Sequence, residues 1–219
     1  MTGPLDDVSD VRVEPEGLDG LLGVPEGAEG IVIFAHGSGS GRFSPRNNYV
    51  AAALRSAGLA TFLLDLLTPA EETNRDNVFD IPLLAGRLMR ATEWLVERTE
   101  TAELKPGYFG ASTGAGAALM AAADVPRVGA VVSRGGRPDM ALSVLPRVTA
   151  PTLLLVGSFD RPVIGMNEQA YNALTCKKHL IIIEGAGHLF EEPGKLDEVV
   201  AHAKAWFLNH LSGPAPQVR

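Results

Sequence analysis

Cysteine is almost absent from this sequence of 219 residues, and no long apolar run occurs in it. The single cysteine, Cys176, has no second cysteine with which to form an intrachain disulfide or a cysteine-based metal cluster. The first residues show neither the basic nor the apolar segment of a secretory signal, and no apolar stretch is long enough to span a bilayer. These absences predict a cytoplasmic protein that uses no metal, no other cofactor and no membrane.

Basic residues are also in the minority. The sequence has 19 Lys and Arg residues against 26 Asp and Glu residues, a formal net charge of -7, and a pI near 5.2. This acidic balance argues against nucleic acid as a partner, because binding to phosphates depends on clustered positive charge. It leaves the oligomeric state and the identity of the substrate open.

Hydrophobic residues, in contrast, make up 46% of the chain, which suits one globular domain over residues 1–219. Apolar runs alternate with helical patterns, which predicts an α/β fold with a mostly parallel central sheet and helices on both faces. An N-terminal antiparallel hairpin is predicted at 11–14 and 18–24. Further strands are predicted at 31–35, 60–64, 104–109, 128–133, 152–156 and 179–184, and helices at 45–56, 81–98, from 113 to about 123, 167–174 and 196–211.

Three segments are predicted to lie outside this regular pattern. Residues 66–80 are polar and predict a long loop, and 212–219, with two prolines, predict a frayed tail. About eighteen residues separate Ser133 from Thr152, too few for a helical cap domain over the sheet edge. We therefore expect a relatively open site.

The stretch Gly110-Ala111-Ser112-Thr113-Gly114 reads Gly-x-Ser-x-Gly between a predicted strand and a run of small residues that predicts a helix. This context indicates a nucleophile elbow, in which a sharp turn exposes the serine hydroxyl. Ser112 is thus the candidate nucleophile. A competing interpretation is a glycine-rich nucleotide loop, because Gly116 extends the glycine pattern.

A serine hydroxyl needs a general base, and the base needs an acid that orients it. Among the five histidines, His188 follows the last predicted strand in a loop of small residues and comes after the serine in the chain. Asp160 follows the preceding strand, so the two loops are expected to be neighbours. Asp139, which follows the strand before that, is the alternative acid.

Backbone amides that stabilise a developing oxyanion form the third part of such a site. Thr113 directly follows the candidate nucleophile, and Ser38 lies in the glycine-rich loop 36–41 after the first buried strand. We expect these two amides to form the oxyanion hole. A phosphate cradle is the rival interpretation of loop 36–41, although the loop lacks the Lys-Ser/Thr of a P-loop and the third glycine of a dinucleotide loop.

Four motifs occur in order, each after a predicted strand: His36-Gly37, Gly110-x-Ser112-x-Gly114, Asp160 and His188. Together they resemble the α/β-hydrolase superfamily over residues 11–211. The compact size and the segment 185–194 are similar to the dienelactone hydrolase-like branch. The resemblance implies an α/β-hydrolase fold with a Ser-His-Asp triad and no cofactor. Dienelactone hydrolases proper carry cysteine at the elbow, where this chain has Ser112.

The candidate substrate-binding residues are His36, Arg42, Arg134 and Arg137, with Arg46, Asn47 and Asn48 near the start of the first helix. Arginines beside an ester site suggest an anionic substrate, a carboxylate or a phosphate held by bidentate hydrogen bonds. The alternative is that these arginines are structural and pair with acids such as Asp65 or Asp139.

The sequence therefore predicts a serine hydrolase that cleaves small carboxylic esters through an acyl-enzyme on Ser112. A thioesterase, peptidase or acyl transferase would use the same triad, so these alternatives stay open. A non-catalytic binding protein on the same fold is a further alternative, and a nucleotide-binding oxidoreductase is the weakest one.

Overall fold

The computed structural model describes residues 8–212, so residues 213–219 of the predicted tail lie outside the described part. Its eight strands are β1 (Val8–Val13), β2 (Leu18–Gly23), β3 (Gly30–Ala35), β4 (Ala60–Leu64), β5 (Lys105–Ala111), β6 (Ala130–Arg134), β7 (Thr152–Gly157) and β8 (Lys178–Ile183). Its helices are α1 (Pro45–Arg55), α2 (Pro69–Glu72), α3 (Arg75–Phe79), α4 (Ile81–Val96), α5 (Thr113–Asp124), α6 (Arg161–Ala173) and α7 (Lys195–Leu211).

All eight strands form one sheet in the order β1-β2-β4-β3-β5-β6-β7-β8. The hairpin β1–β2 is antiparallel and joins β4 in antiparallel orientation, whereas the strands from β4 to β8 pair in parallel. This confirms the predicted α/β architecture with its antiparallel N-terminal hairpin. Among residues 8–212, no helix has both the length and the apolar character needed to cross a membrane.

The sheet is covered on both faces, as the continuous apolar strands predicted. Every residue of β3 is buried, and alternate side chains enter different cores: Ile31 and Ile33 lie in one, Val32 and Phe34 in the other. Helices α4, α5 and α6 contribute to the first core, and α1 and α7 to the second. A strand buried on both faces has no polar side to display, which explains its uninterrupted hydrophobicity.

Several strands and helices begin or end two or three residues from their predicted bounds, and two segments differ more than that. The polar stretch predicted as a loop contains α2 and α3, because Thr68 forms a capping box with Glu71, and Asn74 accepts a hydrogen bond from the Asp76 amide at 3.1 Å. Helix α6 begins at Arg161, six residues before the predicted start, with a proline in its first turn.

The segment between β6 and β7 forms only two short 3₁₀ turns, Pro138–Ala141 and Leu145–Arg147, which confirms that no cap domain is inserted there. The carboxyl ends of the parallel strands meet at one edge of the sheet, so the loops after β3, β5, β6, β7 and β8 converge there. These are the loops that carry the predicted site residues.

Candidate active site

Ser112 stands at the sharp turn between β5 and α5, with φ 51° and ψ -124°. A non-glycine residue rarely adopts a positive φ, and such strain occurs mainly where the surrounding structure imposes it. Gly114 permits the tight approach of α5 to the sheet, since a Cβ there would lie 2.0 Å from the carbonyl oxygen of Ala35. The chain thus has the strand-turn-helix geometry that a nucleophile elbow requires.

His188 and Asp160 are brought together by the loops after β8 and β7. His188 Nδ1 lies 2.6 Å from Asp160 Oδ2. The aspartate side chain is 12% exposed and the histidine side chain 40% exposed, so the acid is sheltered while the imidazole reaches solvent. A carboxylate on Nδ1 fixes the tautomer that leaves Nε2 free to accept a proton.

Asp139, the alternative acid, has a different partner. Its two carboxylate oxygens accept hydrogen bonds from Arg137 Nε at 2.9 Å and Nη2 at 2.8 Å. This bidentate pair holds the 3₁₀ turn after β6, and Asp160 is the acid that contacts His188. Of the two candidate acids, Asp160 is thus the one in contact with His188, and Asp139 is in contact with Arg137.

The loop that carries His188 is held by a hydrogen bond, an ion pair and a buried aromatic residue. Glu192 Oε1 accepts a hydrogen bond from the Gly187 amide at 3.0 Å. Glu191 pairs with Arg46 of α1 at 2.6 Å. Phe190 is 1% exposed and has φ +57°, so the chain turns sharply just after the histidine. Glu192 was not among the predicted site residues, and its only sequence signal is its place in the acidic pair 191–192 after His188.

The two predicted oxyanion donors meet beside the nucleophile. The Ser38 amide donates a hydrogen bond to Thr113 Oγ1 at 3.1 Å. Thr113 is the first residue of α5, so its amide has no acceptor within its own helix. A Cβ on Gly37 would lie 2.8 Å from Ser112 Cβ, so loop 36–41 packs directly on the elbow.

Loop 36–41 is less suited to binding a phosphate than to supplying an oxyanion donor. The Asp65 carboxylate lies against its far end, where it accepts a hydrogen bond from the Arg42 amide at 2.6 Å. The Arg42 guanidinium also pairs with this carboxylate, so the end of the loop holds a neutralised ion pair and not the free positive charge that would favour a phosphate. Across residues 8–212, no group of three or more His, Cys, Asp or Glu side chains is placed to hold a metal ion.

His36 and Arg42, two of the predicted substrate-binding residues, have structural partners. His36 Nδ1 lies 3.1 Å from the carbonyl oxygen of Gly37, and its Nε2 accepts a hydrogen bond from the Leu66 amide at 3.3 Å. The Nε2 contact therefore links the end of β3 to the residues after β4, and the Nδ1 contact stays within the loop of His36 itself. The Arg42 guanidinium forms an ion pair with Asp65.

Arg134 behaves differently from the other candidate arginines. It is the last residue of β6, is 7% exposed, and donates from Nη2 to Asn47 Oδ1 at 3.2 Å. Its Nε and Nη1 are buried without a hydrogen-bond partner. Burial, together with the nearby charge of Arg46, lowers the pKa of Arg134 to about 10. The guanidinium is still positively charged at neutral pH.

Residues 37–41 line two cavities. One, of about 570 Å³, is lined by Ser112, His188, Arg134, Ser38, Phe43 and Leu189. The other, of about 620 Å³, is lined by Thr113 together with Leu67, Val78, Phe79 and Leu84. Ser112, His188 and Arg134 thus line one cavity, and residues 37–41 of the loop with the predicted oxyanion donor line it as well.

The sequence model of the Dienelactone hydrolase family matches residues 18–210. The chain belongs to the dienelactone hydrolase family. A crystal structure of dienelactone hydrolase from Anabaena variabilis is 56% identical, with a TM-score of 0.89 over 93% of this chain and 99% of that one. Est1E from Butyrivibrio proteoclasticus shares the fold at 13% identity, with a TM-score of 0.75 over 92% of this chain and 98% of that one.

This dienelactone hydrolase family member also resembles a longer protein. A Mycobacterium tuberculosis H37Rv protein, provisionally named a phosphoribosyl transferase, is 57% identical over 213 residues, which are 96% of this chain and 48% of that protein. The chain therefore spans about half the length of this curated relative. The relative's name describes the whole of that longer protein.

Proposed function

We propose that this hydrolase-family protein cleaves small carboxylic esters through an acyl-enzyme on Ser112. One observation carries the proposal: the cavity beside the elbow serine is also lined by His188, whose Nδ1 is paired with the sheltered Asp160 at 2.6 Å. A hydroxyl, an imidazole and an orienting carboxylate are the groups that nucleophilic acyl transfer needs.

In the first half-reaction, Ser112 Oγ attacks the ester carbonyl carbon while His188 Nε2 takes the hydroxyl proton. Asp160 accepts the Nδ1 proton in a hydrogen bond and stabilises the imidazolium. The carbonyl oxygen becomes negative and binds the backbone amide of Thr113. The Ser38 amide, whose single N–H is donated to Thr113 Oγ1 in this structure, must share or redirect that hydrogen bond to act as the second donor. When the tetrahedral intermediate collapses, His188 returns the proton to the departing alcohol, and the acyl group stays on the serine.

In the second half-reaction, water replaces the alcohol. His188 takes a proton from the water as its oxygen attacks the acyl carbon, and the same amides bind the second oxyanion. Collapse breaks the bond to Ser112 Oγ, which regains a proton from the imidazolium. The product is a carboxylic acid, and the enzyme returns to its starting state.

The test uses 4-nitrophenyl acetate turnover and covalent labelling by a fluorophosphonate. We expect the wild-type protein to show both and Ser112→Ala to lose both. Ser56→Ala is a matched control, because this exposed hydroxyl bonds only to the Ala52 carbonyl at the end of α1. Labelling or turnover that persists at the wild-type level in Ser112→Ala, with the fold intact, contradicts the proposal.

The acyl acceptor separates ester hydrolysis from related reactions. A thioesterase, a peptidase and an acyl transferase would form the same acyl-enzyme, so competition between water, amines and alcohols for the acyl group distinguishes them. A folded protein that reacts with no acyl probe would instead be a non-catalytic binding protein. We favour hydrolysis because the chain belongs to a hydrolase family, and because no cap domain between β6 and β7 shields the site from water.

A further inference from the structure

Two exposed apolar side chains line the cavity that contains the elbow serine. Phe43 is 67% exposed and Leu189 is 40% exposed, and both line the cavity of about 570 Å³ together with Ser112 and His188. Single exposed apolar residues are common on protein surfaces and need no special explanation. Two that line one cavity with a candidate nucleophile provide a surface on which an apolar ligand group would leave water.

The ring of Phe43 is held in place by its neighbour Arg42. The Arg42 guanidinium carbon lies 4.4 Å from the centre of the ring, and the guanidinium is itself paired with Asp65. The backbone of this segment is fixed as well, since Asn48 Nδ2 donates a hydrogen bond to the Arg42 carbonyl at 2.8 Å. A ring that is exposed yet already positioned loses little conformational freedom when a ligand packs on it.

Leu189 is positioned by the turn that carries the histidine. The next residue, Phe190, is 1% exposed, has φ +57° and donates a hydrogen bond from its amide to the Gly187 carbonyl at 3.3 Å. The buried ring anchors the turn, while Leu189 stays at the surface, next in the chain to His188. An apolar side chain thus adjoins the imidazole that is proposed as the general base.

The arginines that line the same cavity offer little free charge to a ligand. Arg42 is paired with Asp65, and Arg46 is paired with Glu191 at 2.6 Å. Arg134 is only 7% exposed. Contact with the two apolar side chains therefore requires no charge on the ligand.

Proton transfer decides which half of an ester would meet this apolar surface. To return the proton, His188 Nε2 must lie within hydrogen-bond reach of the departing alcohol oxygen. In the proposed mechanism the carbonyl oxygen binds the Thr113 amide instead, and Thr113 lines the second cavity. The half of the ester that adjoins His188 and Leu189 is therefore the alcohol.

We propose that the ester cleaved by Ser112 carries a bulky apolar alcohol group, alkyl or aromatic, and that Phe43 and Leu189 bind this group. The proposal rests on the proposed function and names the alcohol half of its substrate. Ligand cavities of this size are lined mainly by apolar and aromatic side chains, with a few polar groups that fix the orientation. Covering the two side chains removes apolar surface from water, which favours a bulky alcohol group over a methyl group.

Four neutral esters test the proposal: hexyl acetate, its isomer methyl heptanoate, 2-naphthyl acetate, and methyl acetate as the reference. For each ester, kcat/KM of the wild type is divided by that of Phe43→Ala, so that differences in intrinsic reactivity cancel. We expect this ratio to be at least about tenfold larger for hexyl acetate, 2-naphthyl acetate or both than for methyl acetate. A larger ratio for only one of them shows whether the site takes an alkyl or an aromatic group.

Methyl heptanoate tests the assignment to the alcohol half, because it has its apolar chain on the acyl side. Its ratio should match that of methyl acetate. A ratio as large as that of hexyl acetate contradicts the assignment, and one ratio shared by all four esters overturns the proposal.

Three further variants separate apolar contact from a general loss of structure. Leu189→Ala should affect the same esters in the same order, and Phe43→Leu should give an intermediate ratio because it keeps part of the apolar surface. Phe159→Ala is the matched control, because Phe159 is 66% exposed on the loop after β7 but is not one of the residues that line this cavity. If Phe159→Ala and Phe43→Ala change the four esters alike, the assignment of Phe43 is wrong.

Binding without turnover keeps this inference separate from the proposed function. In the Ser112→Ala background, hexyl acetate and 2-naphthyl acetate are titrated by ligand-observed NMR with and without Phe43→Ala. We expect at least about fivefold weaker binding of one or both esters when Phe43 is replaced. Equal affinities for both esters overturn the apolar site, even if 4-nitrophenyl acetate is hydrolysed. A wild type that cleaves no ester overturns the hydrolase proposal, even if these esters bind.

Discussion

At the scale of single residues, the elbow depends on positions where a side chain would collide with backbone. A Cβ on Gly114 would lie 2.0 Å from the Ala35 carbonyl oxygen and 2.5 Å from that of His36. Neither carbonyl can move away without shifting the end of β3. The glycine is therefore part of how α5 is seated, and its replacement should act on the whole fold.

We expect Gly114→Ala to lower the free energy of unfolding by more than about 2 kcal/mol, as overpacking against backbone does. Gly165→Ala is the matched control, because Gly165 lies inside α6 with no atom within 4 Å of its would-be Cβ. That substitution should stabilise the protein by about 0.4 to 1 kcal/mol. Urea unfolding of both variants checks the prediction, and a neutral Gly114→Ala would contradict it.

The hydroxyl of Thr113 contacts the Ser38 amide, which is one of the two predicted oxyanion donors. Thr113 Oγ1 accepts a hydrogen bond from the Ser38 amide at 3.1 Å and so holds that amide beside the elbow, where its single N–H would be shared with an oxyanion. We expect Thr113→Val to lower kcat about three- to tenfold, the equivalent of one modest hydrogen bond, with little change in KM. Thr113→Ser should restore kcat because it keeps the oxygen. A Thr113→Ser variant as slow as Thr113→Val would point to packing instead.

At the scale of elements, the loop that reaches His188 determines which aspartate is the candidate catalytic acid. The loops after β7 and β8 are tied together, since the Phe159 amide donates to the Ala186 carbonyl at 2.9 Å and the Ser158 amide to that of Ile183 at 3.0 Å. These backbone bonds bring Asp160 to His188. The loop after β6 instead folds its aspartate back onto Arg137.

Exchanging each acid for its amide tests this arrangement. We expect Asp160→Asn to lower kcat on the order of 10³-fold, because an amide that donates to Nδ1 would favour the wrong imidazole tautomer. Asp139→Asn should change kcat by less than about threefold, since its carboxylate serves Arg137. Steady-state kinetics with 4-nitrophenyl acetate measures both. Comparable losses in the two variants would show that the acid has been misassigned.

Elements built from apolar patterns were predictable from the sequence, and those built from local polar bonds were not. Strand β4 was placed at its observed bounds, 60–64, because a fully buried strand reads as a continuous apolar run. Helices α2 and α3 were missed because they are short and exposed, and caps rather than buried faces define them. The early start of α6 was missed for a related reason, since only a proline marks it.

The convergence of the candidate site residues at one edge of the sheet was predictable, because their places in the strand order determine it. The elbow serine, the histidine and the acid each follow a parallel strand, so strand order brings their loops to one edge. Sequence cannot say which arginine finds a carboxylate, because that depends on the direction of each side chain. Arg42 and Arg137 proved to be paired, and Arg134 did not.

At the scale of the whole molecule, the buried guanidinium of Arg134 has a cost in stability. Its pKa is lower in the folded chain than in the unfolded one, so unfolding favours the charged form. The cost of burying the charge is therefore fully present below the folded pKa of about 10 and declines as the pH rises beyond it. At neutral pH the full free-energy cost of burying the Arg134 charge is therefore present.

We expect Arg134→Met to raise the free energy of unfolding at pH 7 by about 1 to 3 kcal/mol. The gain should be constant from pH 6 to 9, because Arg134 stays charged throughout that range. Arg137→Met, which breaks a half-exposed pair, should change stability by less than about 1 kcal/mol. Guanidinium chloride unfolding at several pH values measures both, and a destabilised Arg134→Met contradicts the prediction.

Residues 37–41 line two cavities of similar size, one of about 570 Å³ and one of about 620 Å³. An ester has two halves, the acyl part and the alcohol part, and they diverge from the carbon that Ser112 would attack. A bulkier residue in this loop narrows the space on one side or the other. If the proposed ester places one half in each cavity, this loop limits both halves, and we expect a substitution that admits a bulkier acyl group to restrict the alcohol group to smaller ones.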